Sequence, residues 1–361
     1  MYRILAVNPG STSTKVAVYD GAKQLFERNI HHDAQELAAF PAISAQYPFR
    51  KQLILDALSE EGIPVDSLDA VVGRGGLVVP LESGVYEVSE AMLRDLENPP
   101  SGEHASNLGG LIAYDITSSS GHARAFIADP VVVDEFEPVA RISGLPELPR
   151  ISIFHALNHK AVARRYAASV GRPYEEMNLV IAHLGGGISV GAHRKGRVVD
   201  VNNTLDGDGP FSPERAGGLP TGGLVKLCYN GRRSESEMYH KIKGGGGLVA
   251  HLGTNDVRQA LERAGTGDGH ARLILDAMCY NVGKHIGAMA AVLHGEVDAV
   301  ILTGGIARSG EITARIVAMV DFIAPVTIYP GEDELEALAF NAQRVLDGTE
   351  RVKIYDSQGL F

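Results

Sequence analysis

The sequence predicts an α/β protein of two related halves, each opening with an antiparallel β-meander. Three observations predict it. The chain has 361 residues, enough for two domains with sizeable cores. The stretches that open at residue 3 and at residue 179 share one design: apolar run, glycine turn, small hydroxyl, second run, second turn, third run. Beyond each meander, short β-branched runs alternate with segments of helical period. The domains are drawn at 1–150 and 151–333, with a closing helix over about 334–348 able to return to the first.

The elements follow in order. Residues 4–7 and 16–19 have strand length and β-branched content, and a turn at Asp20-Gly21 leads to a third strand. Residues 34–61 read as helical, broken near Pro41 or Pro48. "DAVVGRGG" (69–76) and "ARAFIADPVVVDE" (123–135) are buried strands running into turns, and "SGLPELP" (143–149) is a connector. A helix follows "SIF". Residues 178–203 repeat the opening meander, and a long loop-rich segment starts at 204, where loops of such length are usually functional. Leu275, Met278, Val282, Ile286, Met289 and Leu293 keep the rhythm of one long helix over 269–294. Then come strand, glycine turn and helix (298–320), a last strand, and a closing helix that Asp333 and Glu336 would cap reciprocally.

Composition is that of an ordinary globular chain, 45% hydrophobic and 21% charged. A net charge of −11 speaks against a nucleic-acid surface, which needs a basic face. It leaves phosphate ligands open, because local cations and backbone N–H groups oppose the global sign. No apolar run reaches the roughly 20 residues of a membrane span, and Met1 leads straight into a strand, so no membrane association and a cytoplasmic location are expected. Cys228 and Cys279 match no metal spacing and read as two buried thiols.

Glycine turns follow buried strands at 8–13, 185–189 and 304–305. One such turn is ordinary backbone geometry; three, two of them in matching repeats, point to anion nests. In "NPGSTSTK" the groups Asn8, Ser11, Ser13 and Lys15 alternate on the first turn, either as a polar hairpin tip or as the lining of an anion site. Neither GxxxxGK[ST] nor strand–GxGxxG–helix occurs, so nucleotide binding would use another fold.

"ILAVNPGSTSTK", "IFHALNHKAV", "IAHLGGGISV", "GTNDVR", "LTGGIA" and "PGEDELEAL" resemble, in order and over nearly the whole chain, the acetate and butyrate kinase family. "GRGG", "GEHASNLG", "DPVVVDE" and "VNNTLDGDGPFSPER" resemble its butyrate kinase branch, as does Gly186, where acetate kinases carry Asn. The resemblance implies two duplicated ribonuclease H-like domains of the actin-like ATPase type, the first on the carboxylate side, the second on the nucleotide side, with nucleotide in the interdomain cleft. It implies reversible, direct in-line transfer of the γ-phosphoryl of ATP to a short carboxylate, butyrate or a branched analogue, giving an acyl phosphate. Mg²⁺ is the implied cofactor, ATP/ADP and the acid the implied partners, and a homodimer or larger homo-oligomer the implied assembly.

The acid titrates roughly where an exposed Glu does, near 4–5, so it arrives ionised and needs no general base. Two anions must be forced together, which takes cations and fixed dipoles. By resemblance Arg74, flanked by glycines that leave room for a ligand, holds the carboxylate, and Arg215 stabilises the transferring phosphoryl group. By the same resemblance His155 stands next to the γ-phosphate and Asp129 near the substrate and Mg²⁺. Ser11, Ser13, Lys15, His183, Gly185, Gly186 and Gly187 line the phosphates. Asp256, Arg258, Gly304, Gly305 and Ile306 contact adenosine. Asn8 and Glu334 serve the metal, with Asp333 the alternative to Glu334; His159 supports the fold. Acetate or propionate kinase activity on the same fold, a sugar kinase using Asp129 as base, and a non-catalytic nucleotide-gated binder are the competing readings.

Overall fold

The computed structural model describes residues 1–100 and 102–359. Arg3–Pro9 (β1) turns back onto Ser13–Asp20 (β2) through a tight turn closed by the Gly10 N–H donating to the Ser13 carbonyl, 2.7 Å. Gly21, at φ 59°, makes the next turn into Lys23–His31 (β3). Ala70–Arg74 (β4) pairs parallel with β1, and Arg124–Ala128 (β6) parallel with β4. Val85–Glu87 (β5) closes the edge, giving the order β3-β2-β1-β4-β6-β5. β1 and β4 are buried throughout but for their end residues, as central parallel strands should be.

The helical stretch expected over 34–61 is two helices, Ala34–Ala38 (α1) and Tyr47–Glu60 (α2). Pro41 lies in the gap. Pro48 sits in the first turn of α2, where its missing N–H has no helical partner to lose. Between β4 and β6 run two helices the sequence pattern did not reveal, Glu90–Glu97 (α3) and Leu108–Ser118 (α4). α4 carries Gly109 and Gly110, poor helix formers, because it lies directly on β4: a Cβ at Gly109 would overlap the Arg74 carbonyl.

The second meander is Asn178–Leu184 (β7), Ile188–Arg194 (β8) and Arg197–Val201 (β9), preceded by Ala156–Val170 (α5). Four helices follow: Thr221–Cys228 (α6), Glu235–Ile242 (α7), Gly247–Leu252 (α8) and Val257–Gly265 (α9). Gly269–Val292 (α10) is the long helix the periodicity predicts, followed by Ala299–Gly304 (β10), Gly310–Val320 (α11) and Val326–Pro330 (β11). Strand order is β11-β10-β7-β8-β9, the same meander-plus-parallel-strands plan as the first sheet. Alternation along β7 assigns its two faces: Leu179 and Ile181 pack with Val162, Ala163 and Ala167 of α5, while Val180, Ala182 and Leu184 pack with Leu275, Met278 and Val282 of α10.

The last helix, Glu334–Leu346 (α12), packs on β1, β4 and β6. The Asp333 side chain makes no capping bond, contrary to the capping box expected there. The compact units are Met1–Val133 together with the chain from Asp333 onward, and Asp134–Glu332. The change of unit falls before Asp134 rather than at 150, because the intervening residues are tied to the second sheet. Glu135 takes hydrogen bonds from Lys160 Nζ and the Val198 N–H, both 2.7 Å, and Arg150 pairs with Asp200 at 2.8 Å. Cys279 is buried as expected; Cys228, on α6, which buries no residue, is exposed.

Candidate active site

In the first unit three polar side chains meet at strand and helix ends. The register that pairs Val7 with Gly73 brings Asn8 and Arg74 side by side at the ends of β1 and β4, and Glu334 is the first residue of α12. Arg74 Nη1 lies 3.2 Å from Glu334 Oε1 and 3.5 Å from Asn8 Oδ1, and Asn8 Nδ2 donates to Glu334 Oε2. Arg74, Asn8 and Glu334 thus form one constellation, in which Nη1 of the guanidinium meets both carboxylate oxygens of Glu334.

The glycines beside Arg74 do not make room for a ligand. A Cβ at Gly73 would overlap the backbone of Gly109, one at Gly75 the Pro130 ring, and one at Gly76 the Asn107 side chain. They are close-packing glycines of strand against helix and loop. Asp129 is buried with a left-handed backbone, φ 39°. Its carboxylate accepts from Ser83 Oγ at 2.6 Å, the Gly84 N–H at 2.8 Å and Asn341 Nδ2 at 3.4 Å. These bonds hold the 83–84 turn.

Ser11 is exposed at the first turn, with Ser13 half-buried beside it, and Lys15 stands exposed on β2 opposite Asn8. Behind that turn lies a residue sequence reasoning missed. Arg50, from α2, is only 1% exposed, and its guanidinium donates to the Gly10 carbonyl at 2.6 Å, the Ser11 and Ser13 carbonyls at 3.3 Å, and Gln46 Oε1 at 2.8 Å. Burial lowers its pKa to about 10. The cation draws the turn's carbonyls inward. A lone arginine on a helix gives no such signal in sequence.

In the second unit His155 precedes the first turn of α5, and its Nδ1 lies 2.9 Å from Ser189 Oγ on β8. Its ring stacks on that of His183, centroids 3.7 Å apart and planes 8° from parallel. His183 is fully buried, with Nδ1 2.9 Å from Asn158 Oδ1 and Nε2 3.0 Å from Glu332 Oε1. Arg215 reaches the second glycine turn: a Cβ at Gly187 would overlap its Nη1, which donates to the Thr204 carbonyl. Burial lowers its pKa, with Glu214 and Asp206 opposing.

The turns themselves are partly self-satisfied, against the expectation of open nests. The Gly185 N–H donates to the Gly187 carbonyl at 3.0 Å, and Gly304 and Gly331 exchange both backbone bonds, 3.1 and 3.0 Å. Gly304, at φ 90°, also lies against the backbone of Leu184, whereas Gly305 faces open space and Ile306 packs on the core under α10. Asp256 caps α9 through the Arg258 N–H at 2.8 Å and pairs with the exposed Arg258 guanidinium at 2.9 Å.

No group of three or more His, Cys, Asp or Glu side chains suited to a metal occurs among the described residues. Asn8 Oδ1 and the Glu334 carboxylate are the oxygen donors of the constellation, and Mg²⁺ asks for no more than one or two protein carboxylates beside water and phosphate. No helix among the described residues is long and apolar enough to cross a membrane.

The sequence pattern of the acetokinase family matches residues 150–329. A probable butyrate kinase of Clostridium botulinum (strain Alaska E43 / Type E3) is 53% identical over 354 residues, 98% of this chain and 99% of that protein. Butyrate kinase 2 of Clostridium acetobutylicum is also 53% identical, over 98% of this chain and 99% of its own. The crystal structure of Porphyromonas gingivalis acetate kinase superposes with a TM-score of 0.80 at 19% identity, covering 96% of this chain and all of that one, so the two share a fold.

Proposed function

The chain belongs to the acetokinase family and is a carboxylate kinase using ATP; from that premise we propose that its acid is butyrate or a branched analogue, and that the two units divide the chemistry. In this reading the first unit takes the acid and the second the phosphates of the nucleotide.

The observation that carries the first half is the Arg74–Glu334 pair at 3.2 Å. A guanidinium that pairs with one carboxylate through Nη1 can pair with another, and the incoming acid takes the place of Glu334. The acid is already ionised, so the task is to bring two anions together rather than to remove a proton. Asp129 orders the loop beneath the acid through Ser83 and Gly84 instead of acting as a base. Ser11, Ser13 and Lys15 offer hydroxyls and a cation to phosphate, on a turn whose carbonyls Arg50 holds away.

In the second unit His155 and Arg215 donate to the transferring phosphoryl group as negative charge spreads over its oxygens. Gly185, Gly186 and Gly187 let phosphate approach the backbone, with His183 beneath. Gly304, Gly305 and Ile306 support adenosine, Asp256 and Arg258 at its rim. Mg²⁺, held by Asn8 and Glu334, would offset phosphate charge. A homo-oligomer in the cytoplasm completes the reading.

A hydroxamate trap with ATP and a panel of butyrate, isobutyrate, propionate and acetate tests it. The four-carbon acids are expected to give most hydroxamate. A preference for acetate or propionate would move the assignment to those kinases, and no product from any acid would end it.

A further inference from the structure

Beneath His155 a chain of buried polar side chains runs through the second unit. Tyr174 Oη lies 2.6 Å from His193 Nδ1; His193 Nε2 lies 3.1 Å from His159 Nδ1; His159 Nε2 lies 2.9 Å from Ser189 Oγ; and Ser189 Oγ lies 2.9 Å from His155 Nδ1. His159, His193 and Ser189 have no solvent exposure, and Tyr174 has 4%. Burial holds both imidazoles well below their ordinary pKa, so each is neutral at pH 7.

A neutral imidazole has one donor nitrogen and one acceptor nitrogen. Each ring therefore passes on the direction of the hydrogen bond it receives, and two arrangements satisfy every contact while spending the Ser189 hydroxyl hydrogen along the chain; a third, in which Ser189 Oγ accepts from both His159 and His155, turns that hydrogen away from it. In one, Tyr174 O–H donates to His193, His193 Nε2–H to His159, His159 Nε2–H to Ser189, and Ser189 O–H to His155 Nδ1. In the other, every bond is reversed. The first leaves the hydrogen of His155 on Nε2; the second and the third put it on Nδ1. The 2.6 Å contact of Tyr174 Oη with His193 Nδ1 sets the direction: a phenol is the stronger donor and an imidazole nitrogen the stronger acceptor, so Tyr174 donates, His159 in turn donates to Ser189, and the Ser189 hydrogen is left for His155 Nδ1.

We propose that Tyr174, His193, His159 and Ser189 are positioning residues that fix His155 as its Nε2–H tautomer, a hydrogen-bond donor from Nε2. The orienting partner of one ring nitrogen decides the state of the other; here the decision is relayed from a phenol three residues removed. A donor at Nε2 is what an oxygen gaining negative charge requires. The usefulness of that donor rests on the proposed role of His155 at the phosphoryl group; the tautomer itself does not.

The test is long-range ¹H–¹⁵N NMR on the histidine-labelled full-length protein, together with steady-state kinetics. The wild type is expected to show His155 as the Nε2–H form; the Nδ1–H form would overturn the proposal. In Tyr174→Phe the terminal donor is gone, and the His155 tautomer ratio is expected to shift about fivefold, the ratio that one hydrogen bond's net contribution supports. kcat is expected to fall about two- to fivefold with both KM values within about twofold. An unchanged ratio in the variant would show that the tautomer is set locally and would also overturn the relay. A shifted ratio with unchanged kcat would uphold the relay and remove His155 from the chemistry. Should Tyr174→Phe fail to fold, His193→Gln interrupts the chain one link nearer, with the same two readouts.

Discussion

At the residue scale two arginines, Arg50 buried and Arg215 half-buried, separate the electrostatics of the site from its scaffolding. Arg215 lies against Gly187 and donates to the Thr204 carbonyl, with Glu214 and Asp206 near enough to favour its charge. Arg215→Ala is expected to lower kcat about 10³-fold, as loss of a phosphoryl-stabilising arginine does; near wild-type turnover would remove it from the reaction. Arg50 satisfies carbonyls of the first turn from behind. Arg50→Met strips partners from several buried acceptors and is expected to cost about 2–4 kcal/mol in urea unfolding. A loss under about 0.5 kcal/mol would show that those bonds are idle. Arg74, Asn8 and Glu334 are separated widely in sequence, and only their motifs marked them. Arg50 belongs to no motif, and its meaning lies in the carbonyls it meets across the fold. The Tyr174–His193–His159 chain was invisible for the same reason: no motif marks Tyr174 or His193, His159 was read as support for the fold, and the chemistry of each is in its neighbours.

At the element scale, the strands and the long α10 were readable because period and length mark them. α3 and α4 were not. α4 has the sequence LGGLIAYDITS, whose paired glycines argue against helix, and the reason for them is the close approach to β4. The same contact explains Gly73, which sequence reasoning credited to a ligand. Gly73→Ala places a methyl against the Gly109 backbone and is expected to destabilise by about 2–4 kcal/mol. Gly305→Ala meets nothing within 4 Å and is expected to change stability by less than about 1 kcal/mol. Equal effects of the two substitutions, measured by urea unfolding, would refute this division of the glycines.

At the scale of the whole molecule, buried neutral histidines tie stability to pH. Burial lowers His32 to about 4 and holds His159 and His193 well below the ordinary value of 6.5. Below pH 6.5 the unfolded chain takes up protons at these sites while the native chain does not, so stability falls as pH falls. For His32 the loss ends near pH 4; for the other two it continues lower. Each group contributes about 1.4 kcal/mol per pH unit within its window. Urea midpoints are expected to drop between pH 7 and pH 5, and a flat profile would show that the rings are protonated in place. The duplicated plan itself was legible at this scale, since two meanders about 175 residues apart announce it. The change of unit before Asp134 was not, because it depends on Glu135 and Arg150 binding partners far along the chain.

The steady-state kinetics of Arg74→Ala bear most directly on the claim that the first unit receives the acid. The account predicts a rise in KM for butyrate of at least about tenfold, the loss of a charge-assisted pair worth roughly 1.5–3 kcal/mol, with KM for ATP within about twofold. An unchanged KM for butyrate would contradict it.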